Sequence, residues 1–402
     1  MKKLFYSVCF CWLSFLGMSQ QTRVYFLESK MDGSVDFATA SGPIRDLPFW
    51  GYGEPSLEGT TEISLPGPHI EANEGDSVHV YMFNPSEEGH TIHFHGLDVD
   101  QANDGVPSTS RFVLNREAAW YKFKATHAGN YIYHCHVTTT MHLILGMYGM
   151  VTIHPSNAAQ SAYTDYGAYT KDYSYLAVEL DSRWNEDYIN IGSFLDYEPD
   201  IFSINGKSYT DIYSDSSMVI QAQQNDTVLL RLRNIGYGPQ DYHFPADLNA
   251  EIIGSDGRKI IPAIRKDTLR LYPGERYSVL FHFENMDSSA VTVDFLSSNG
   301  LELIGREYIP INSFEFIAPK STISIDENAD QSFKVYPNPS AGQINLKLPK
   351  EPIDSQVQIF DMKNQLQASY PLLKELDLRG LPAGLYFIKI PGLGSQKLLM
   401  TR

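Results

Sequence analysis

The chain has 402 residues, 43% of them hydrophobic and 12% aromatic, with 29 Gly and 22 Pro, which suits two or three globular domains rich in strands and turns. A formal net charge of −17 argues against nucleic acid and against a polybasic membrane contact. Small cations and neutral reductants remain as partners.

Met1-Lys-Lys, the apolar run Leu4 to Met18, and small Gly17 and Ser19 before Gln20 read as a secretory signal peptide over residues 1–19. The run is shorter than the roughly 20 apolar residues a membrane span needs. Cys9 and Cys11 would leave with it. The mature protein is therefore expected to be exported, free of disulfides, and in possession of one thiol, Cys135.

From Arg23 to about Ser156, short apolar strands alternate with Pro, Gly, Asn and Asp breakers, as in Ile70 to Asn84 and Trp120 to Val137. Helical periodicity is hard to find, and the pattern predicts an antiparallel β-sandwich over 22–156. A Tyr, Asp and Ser-rich bridge, Ser161 to Tyr175, leads to a second β-rich block at about 174–318. Its strand and turn signals include Phe202-Ser-Ile-Asn205-Gly206-Lys, Val228 to Asn234, and Leu271-Tyr-Pro-Gly-Glu-Arg276. A polar, charged stretch at 319–331 reads as a linker. The last block, 332–402, contains Tyr336-Pro-Asn-Pro-Ser and Asp377 to Ile390 and reads as a small all-β module.

Seven of the 12 histidines fall between positions 90 and 142. Side chains alternate faces along a strand, so parity decides which can share a site. His93 and His95 project together, as do His134 and His136. Cys135 points the other way, and so does His90 unless it already lies in the turn that ends at Gly89. One group is then Cys135 with His90 and, from the following loop, His142 and Met147. Two imidazoles, a thiolate and a weak axial thioether describe a type 1 copper site for electron transfer. The other group is His93, His95, His134 and His136, an all-imidazole face able to hold further copper. Because Cys135 is bonded to two members of that face, an electron at the first site has a short bonded route to the second.

Each residue has a plainer reading. A lone buried Cys is usually a small core hydrophobe, and Met147 and Met150 could be ordinary packing. Zinc is the main competing metal, since it accepts His and Cys. The Met that closes His142-x3-Gly-Met and the separation of the thiol from four imidazoles favour copper. His127 reads as a turn residue, and His69, His79, His154, His243 and His282 as structural.

These motifs resemble the multicopper oxidase and cupredoxin superfamily over about residues 45–318. The likeness rests on Pro66-Gly-Pro-His-Ile-Glu-Ala-Asn-Glu-Gly75-Asp76, His93-Phe-His95-Gly96-Leu, Asp104-Gly-Val-Pro and Gly129-Asn-Tyr-Ile-Tyr-His134-Cys-His136. The resemblance implies two cupredoxin-like Greek-key β-sandwiches and a copper oxidoreductase in which electrons from a phenolic, ferrous or cuprous reductant reach dioxygen. It places His93 on a type 2 copper and His95, His134 and His136 on a type 3 pair, with catalytic Asp104 helping proton delivery. The plainer reading of Asp104 is an Asp-Gly turn.

The second block resembles a family domain through Ile204-Asn-Gly-Lys, Ile252 to Gly257 and Pro273-Gly-Glu-Arg276. It departs from a copper-bearing one at Gly238-Pro-Gln-Asp-Tyr-His243-Phe-Pro, and no second His-Cys-His follows, so it is expected to be copper-free. The family's trinuclear cluster takes eight imidazoles, of which this chain offers four. A homo-oligomer, with two first domains face to face, would complete the set. Copper nitrite reductases are similar in their type 1 ligands but carry an aspartate where this chain has His93. A non-enzymatic blue-copper carrier is the reading from a different class. The last block resembles the type A sorting domain of the type IX secretion system and an immunoglobulin-like β-sandwich. It implies secretion or surface display after passage through the periplasm.

Overall fold

Strand follows strand from Thr22 to Ile311, because β-branched and aromatic residues alternate with polar ones between Gly, Pro, Asn and Asp turns. The computed structural model describes residues 20–56, 59–156, 160–284, 289–312, 333–338, 340–348, 356–361, 366–390 and 394–401. The expected signal peptide and linker lie outside the described residues. Among those described, no helix is long and apolar enough to cross a membrane.

The first domain runs β1 (Thr22–Phe37), β2 (Ile44–Pro55), β3 (Thr61–Ser64), β4 (Gly67–Asn73), β5 (Ser77–Asn84), β6 (His93–His95), β7 (Glu117–Lys124), β8 (Gly129–His134), helix α1 (Thr139–Ile144) and β9 (Tyr148–His154). Its two sheets have the orders β3-β2-β1-β5-β7 and β4-β9-β8-β6. The sandwich is not purely antiparallel as expected: β1 pairs parallel with β5, and β4 with β9. Such pairs need crossovers between the sheets, and alternation within a strand carries no trace of them.

The second domain runs β10 (Ser161–Tyr163), β11 (Tyr166–Ala168), β12 (Lys171–Leu180), α2 (Ser182–Glu186), β13 (Ile201–Ile204), α3 (Thr210–Ser214), β14 (Thr227–Asn234), β15 (Gln240–His243), β16 (Glu251–Ser255), β17 (Arg258–Arg265), β18 (Thr268–Leu271), β19 (Arg276–His282), β20 (Ser289–Leu296) and β21 (Leu303–Ile311). Sheets β13-β12-β14-β19-β16-β17 and β18-β15-β20-β21 enclose its core. The stretch read as a bridge is ordered β structure: β10 and β11 form a hairpin, and β12 already begins at Lys171. Its Tyr and Ser residues look polar, but Ala162 and Tyr163 bury against Leu229, Ile253 and Leu280. The Tyr163 hydroxyl is satisfied 3.2 Å from Ser278 Oγ.

The two sandwiches share a seam. Ile132, Tyr148 and Met150 of the first pack on Leu176, Val178, Leu180, Ile201 and Ile235 of the second. Each fully buried side chain of this kind contributes roughly 1.5–3 kcal/mol. Polar groups lock the seam in register: Asn130 Nδ2 donates to Leu232 O and Tyr277 O, and Ser278 Oγ donates to Asn130 Oδ1.

Beyond residue 316 a separate compact unit begins. Its sheets, Lys334–Tyr336, Gln343–Lys347 and Glu375–Asp377 against Gln356–Asp361, Leu366–Pro371, Gly384–Ile390 and Gly394–Met400, enclose Phe333, Ile344, Leu346, Val357, Ile359, Tyr386 and Ile388.

Candidate metal centre

Strand β8 delivers His134 and Cys135 to opposite sides of one sheet, as its parity requires. Cys135 enters the first domain's core beside Trp50, Tyr52 and Met147, fully buried. One ligand atom from each of His90, Cys135 and His142 lies within 4.8 Å of the others, and all three residues are buried. His142 Nδ1 is 3.1 Å and His90 Nδ1 3.8 Å from the thiol sulfur. His142 reaches this point because helix α1 turns it inward, after which the chain returns so that Cys135 N–H donates to Met147 O at 3.0 Å. Met147 is fully buried in the same core.

Burial holds the His90 imidazole neutral down to about pH 3 and that of His142 down to about 4. Their lone pairs are thus free at neutral pH. Burial pushes the Cys135 thiol up, while N–H groups of Thr91 and Val137 and the hydroxyls of Tyr52 and Thr91 oppose it. Those donors suit a sulfur that must become a thiolate when a cation binds. His142 Nε2 faces Glu88 Oε2 at 3.5 Å, the kind of carboxylate contact that orients a ligating imidazole. Trp50 stands edge-on to both rings, 5.2 Å from His142 and 6.2 Å from His90, and Tyr188 from the second domain covers Trp50 at 4.8 Å.

On the other face, ligand atoms of His93, His95 and His134 also converge within 4.8 Å. His134 Nδ1 donates to Cys135 O at 2.9 Å, which leaves Nε2 as the metal-facing atom, 3.3 Å from His95 Nδ1. Burial depresses the His134 pKa to about 3 and that of His95 to about 4. His93 Nδ1 donates to Asp104 O at 2.7 Å and lies 3.3 Å from Asp104 Oδ1. Asp104 can come this close because Gly105 has φ +77° and a Cβ there would sit 2.0 Å from Ile92 O. His136 is beside the trio rather than in it. Its ring is 5.0 Å from His93 and stacks on His134 at 6.0 Å.

The remaining histidines are held singly. His69 Nε2 meets Thr152 Oγ1 at 2.8 Å, and His127, His154, His243 and His282 sit beside Asp98, Glu71, Asp294 and Glu251. Sequence reading missed Trp50, Tyr52, Glu88 and Tyr188. Glu88, two residues before His90, offered a local signal; the others reach the site only through long-range packing.

Both donor sets fit copper: buried N, N, S with a neighbouring methionine on one side, and neutral imidazoles on the other. Two family models, each described as multicopper oxidase, match residues 59–158 and 168–298, together more than half of the chain. The chain belongs to the multicopper oxidase family. Residues 334–399 match the secretion system C-terminal sorting domain. Among curated relatives, Laccase 1 of Metarhizium acridum is 36% identical over 113 residues, covering 26% of this chain and 18% of its own. Laccase-7 of Oryza sativa subsp. japonica is 26% identical over 293 residues, covering 70% and 47%. This multicopper oxidase thus spans less than half the length of those relatives. The blue copper oxidase from Nitrosomonas europaea has a similar structure (TM-score 0.59, 26% identity, 73% of this chain and 86% of that one). A copper nitrite reductase from the same organism shares the fold at 18% identity (TM-score 0.53, 73% and 94% covered).

A carboxylate on a ligating histidine typically adds 10–100-fold to metal affinity. Asp104→Ala keeps the carbonyl that accepts from His93 and removes only the carboxylate at 3.3 Å, so it is expected to weaken copper binding at the imidazole trio by no more than about ten-fold, read by competition with a chelator. Metal binding at the Cys135 site should stay unchanged.

Proposed function

We propose that this is an exported copper oxidoreductase that takes single electrons from a small reductant and delivers them to dioxygen. The observation that carries the reading is the division of adjacent residues between two donor sets. The thiol of Cys135 belongs to the buried His90–Cys135–His142 group, while the imidazole of His134 belongs to the His93–His95–His134 group. One peptide unit therefore joins them. Copper held in both supplies one-electron redox chemistry, a type 1 centre on the thiol side and type 2 or type 3 centres on the imidazole side. The residues around it do the rest. Trp50, Tyr52 and Met147 exclude water from the thiol, and Glu88 orients His142. Asp104, 29% exposed on its side chain, orients His93 and can relay protons from solvent to oxygen reduced there.

A complete trinuclear cluster needs four more imidazoles, which we place on another subunit of a homo-oligomer, first domain against first domain. The nitrite reductase reading is weaker because His93 stands where those enzymes carry aspartate. The C-terminal unit directs the protein, after a signal peptide and the periplasm, to type IX export and secretion or the cell surface. Oxygen uptake by the copper-loaded oligomer with a phenolic dye, ferrous iron or cuprous ion tests the activity. Uptake with at least one of them is expected. No uptake with any would leave an electron carrier.

A further inference from the structure

The second domain supplies no member of either donor set, yet one of its charged side chains is buried against the imidazole trio. Arg276, the first residue of β19, is 3% exposed. Its guanidinium rests on Gly96, the residue after His95, where a Cβ would lie 2.1 Å from Nη2. Gly96 has φ +84°, so both its backbone and its missing side chain admit the arginine. From the same Pro273-Gly-Glu-Arg276 turn, Gly274 faces the far edge of the His95 ring, and a Cβ there would lie 3.1 Å from Cε1. That edge is the Cε1–Nε2 side of the ring, and Cε1 is bonded to Nδ1, the atom that meets His134.

The charge is only partly answered. Nη1 donates to Gly274 O at 2.5 Å and pairs with Asp256 Oδ1 at 3.0 Å, but Asp256 is itself 47% exposed, and solvent screens it. Nε has no hydrogen-bond partner among the described residues. A buried guanidinium with spare donor capacity favours negative charge nearby. The Arg276 charge acts on His95 of the imidazole trio, whose neutral donors bring no negative charge of their own to a bound cation.

We propose that Arg276 is a positioning residue for the imidazole copper site: it seats His95 and makes that site select anionic exogenous ligands. This rests on the copper reading above and extends it by giving the copper-free domain a role in the site. It also explains why the two sandwiches must dock in one register, since the turn carrying Arg276 belongs to one and His95 to the other.

The test uses the full, copper-loaded chain, with azide as the anionic probe and the paramagnetic resonance of the imidazole-bound copper as a second readout. Arg276→Gln is expected to weaken azide binding about ten-fold, the effect of removing a unit charge at close range in a partly screened site. It should also alter the nitrogen hyperfine pattern while leaving the blue Cys135 absorption intact. Arg276→Lys, which keeps the charge, should restore azide affinity to within about two-fold. Asp256→Asn, a change at a half-exposed position, should tighten azide binding several-fold by unmasking the charge, and it serves where Arg276→Gln fails to fold. Equal azide affinity in the wild type and in whichever of these variants fold would overturn the proposal. Absence of copper from the wild-type imidazole site would instead sink the copper reading on which it stands.

Discussion

Cys135→Ser is expected to abolish the blue absorption, to remove one copper per chain, and to lower turnover with every reductant by more than about 100-fold. Even mutation of partners that merely orient ligands costs a metal site 10–100-fold, and serine at neutral pH offers no anion to a soft cation. The fold should survive, because the change removes a small apolar group from a core that keeps Trp50, Tyr52, Phe94 and Val151. The imidazole trio should still bind copper, since none of its ligand atoms is touched. The result is read from metal content, visible absorption and oxygen uptake on one preparation. Blue colour or wild-type turnover in the variant would show that the thiol is only a core residue.

The second large effect is on stability. Arg233 is fully buried on β14 and spans the seam between the sandwiches. Nε donates to Tyr131 O at 2.9 Å, and Nη2 to Val151 O at 3.2 Å and Thr152 Oγ1 at 2.9 Å. Burial, with Arg231 alongside, pulls its pKa down to about 9, so the charge costs free energy that these bonds offset. Truncation removes the bonds and leaves a cavity in the seam, beside the apolar packing of Ile132, Tyr148 and Met150 on the second domain. Arg233→Ala should cost about 3 kcal/mol, the sum of lost charged hydrogen bonds and cavity less the relieved desolvation. For a unit of this size that lowers Tm by roughly 5 °C. Differential scanning calorimetry checks it, and Arg233→Lys should fall between the two. A shift under about 2 °C would mean that apolar packing alone holds the seam.

Much of the site was legible because strand parity is local. His93 with His95, and Cys135 opposed to His134, follow from a period of two, and the structure places their ligand atoms accordingly. His136, two residues on, stacks on His134 and lies 5.0 Å from the His93 ring, on the same face. The approach of His142 depended on a six-residue helix, Thr139–Ile144, too short to show periodicity. Trp50, Tyr188 and Arg276 come to the site from positions dozens of residues away, and only tertiary packing reveals them. The same reason hid the parallel pairs β1/β5 and β4/β9, which depend on how the sheets connect rather than on what each strand contains.

The central claim is that one chain holds two different copper sites back to back across a single strand. Metal analysis of the purified protein, combined with electron paramagnetic resonance, tests it most directly. More than one copper per chain is predicted, with a type 1 signal that depends on Cys135 and a second copper population that depends on His93, His95 and His134. Zinc in place of copper, or one copper per chain that is indifferent to substitution of those histidines, would contradict it.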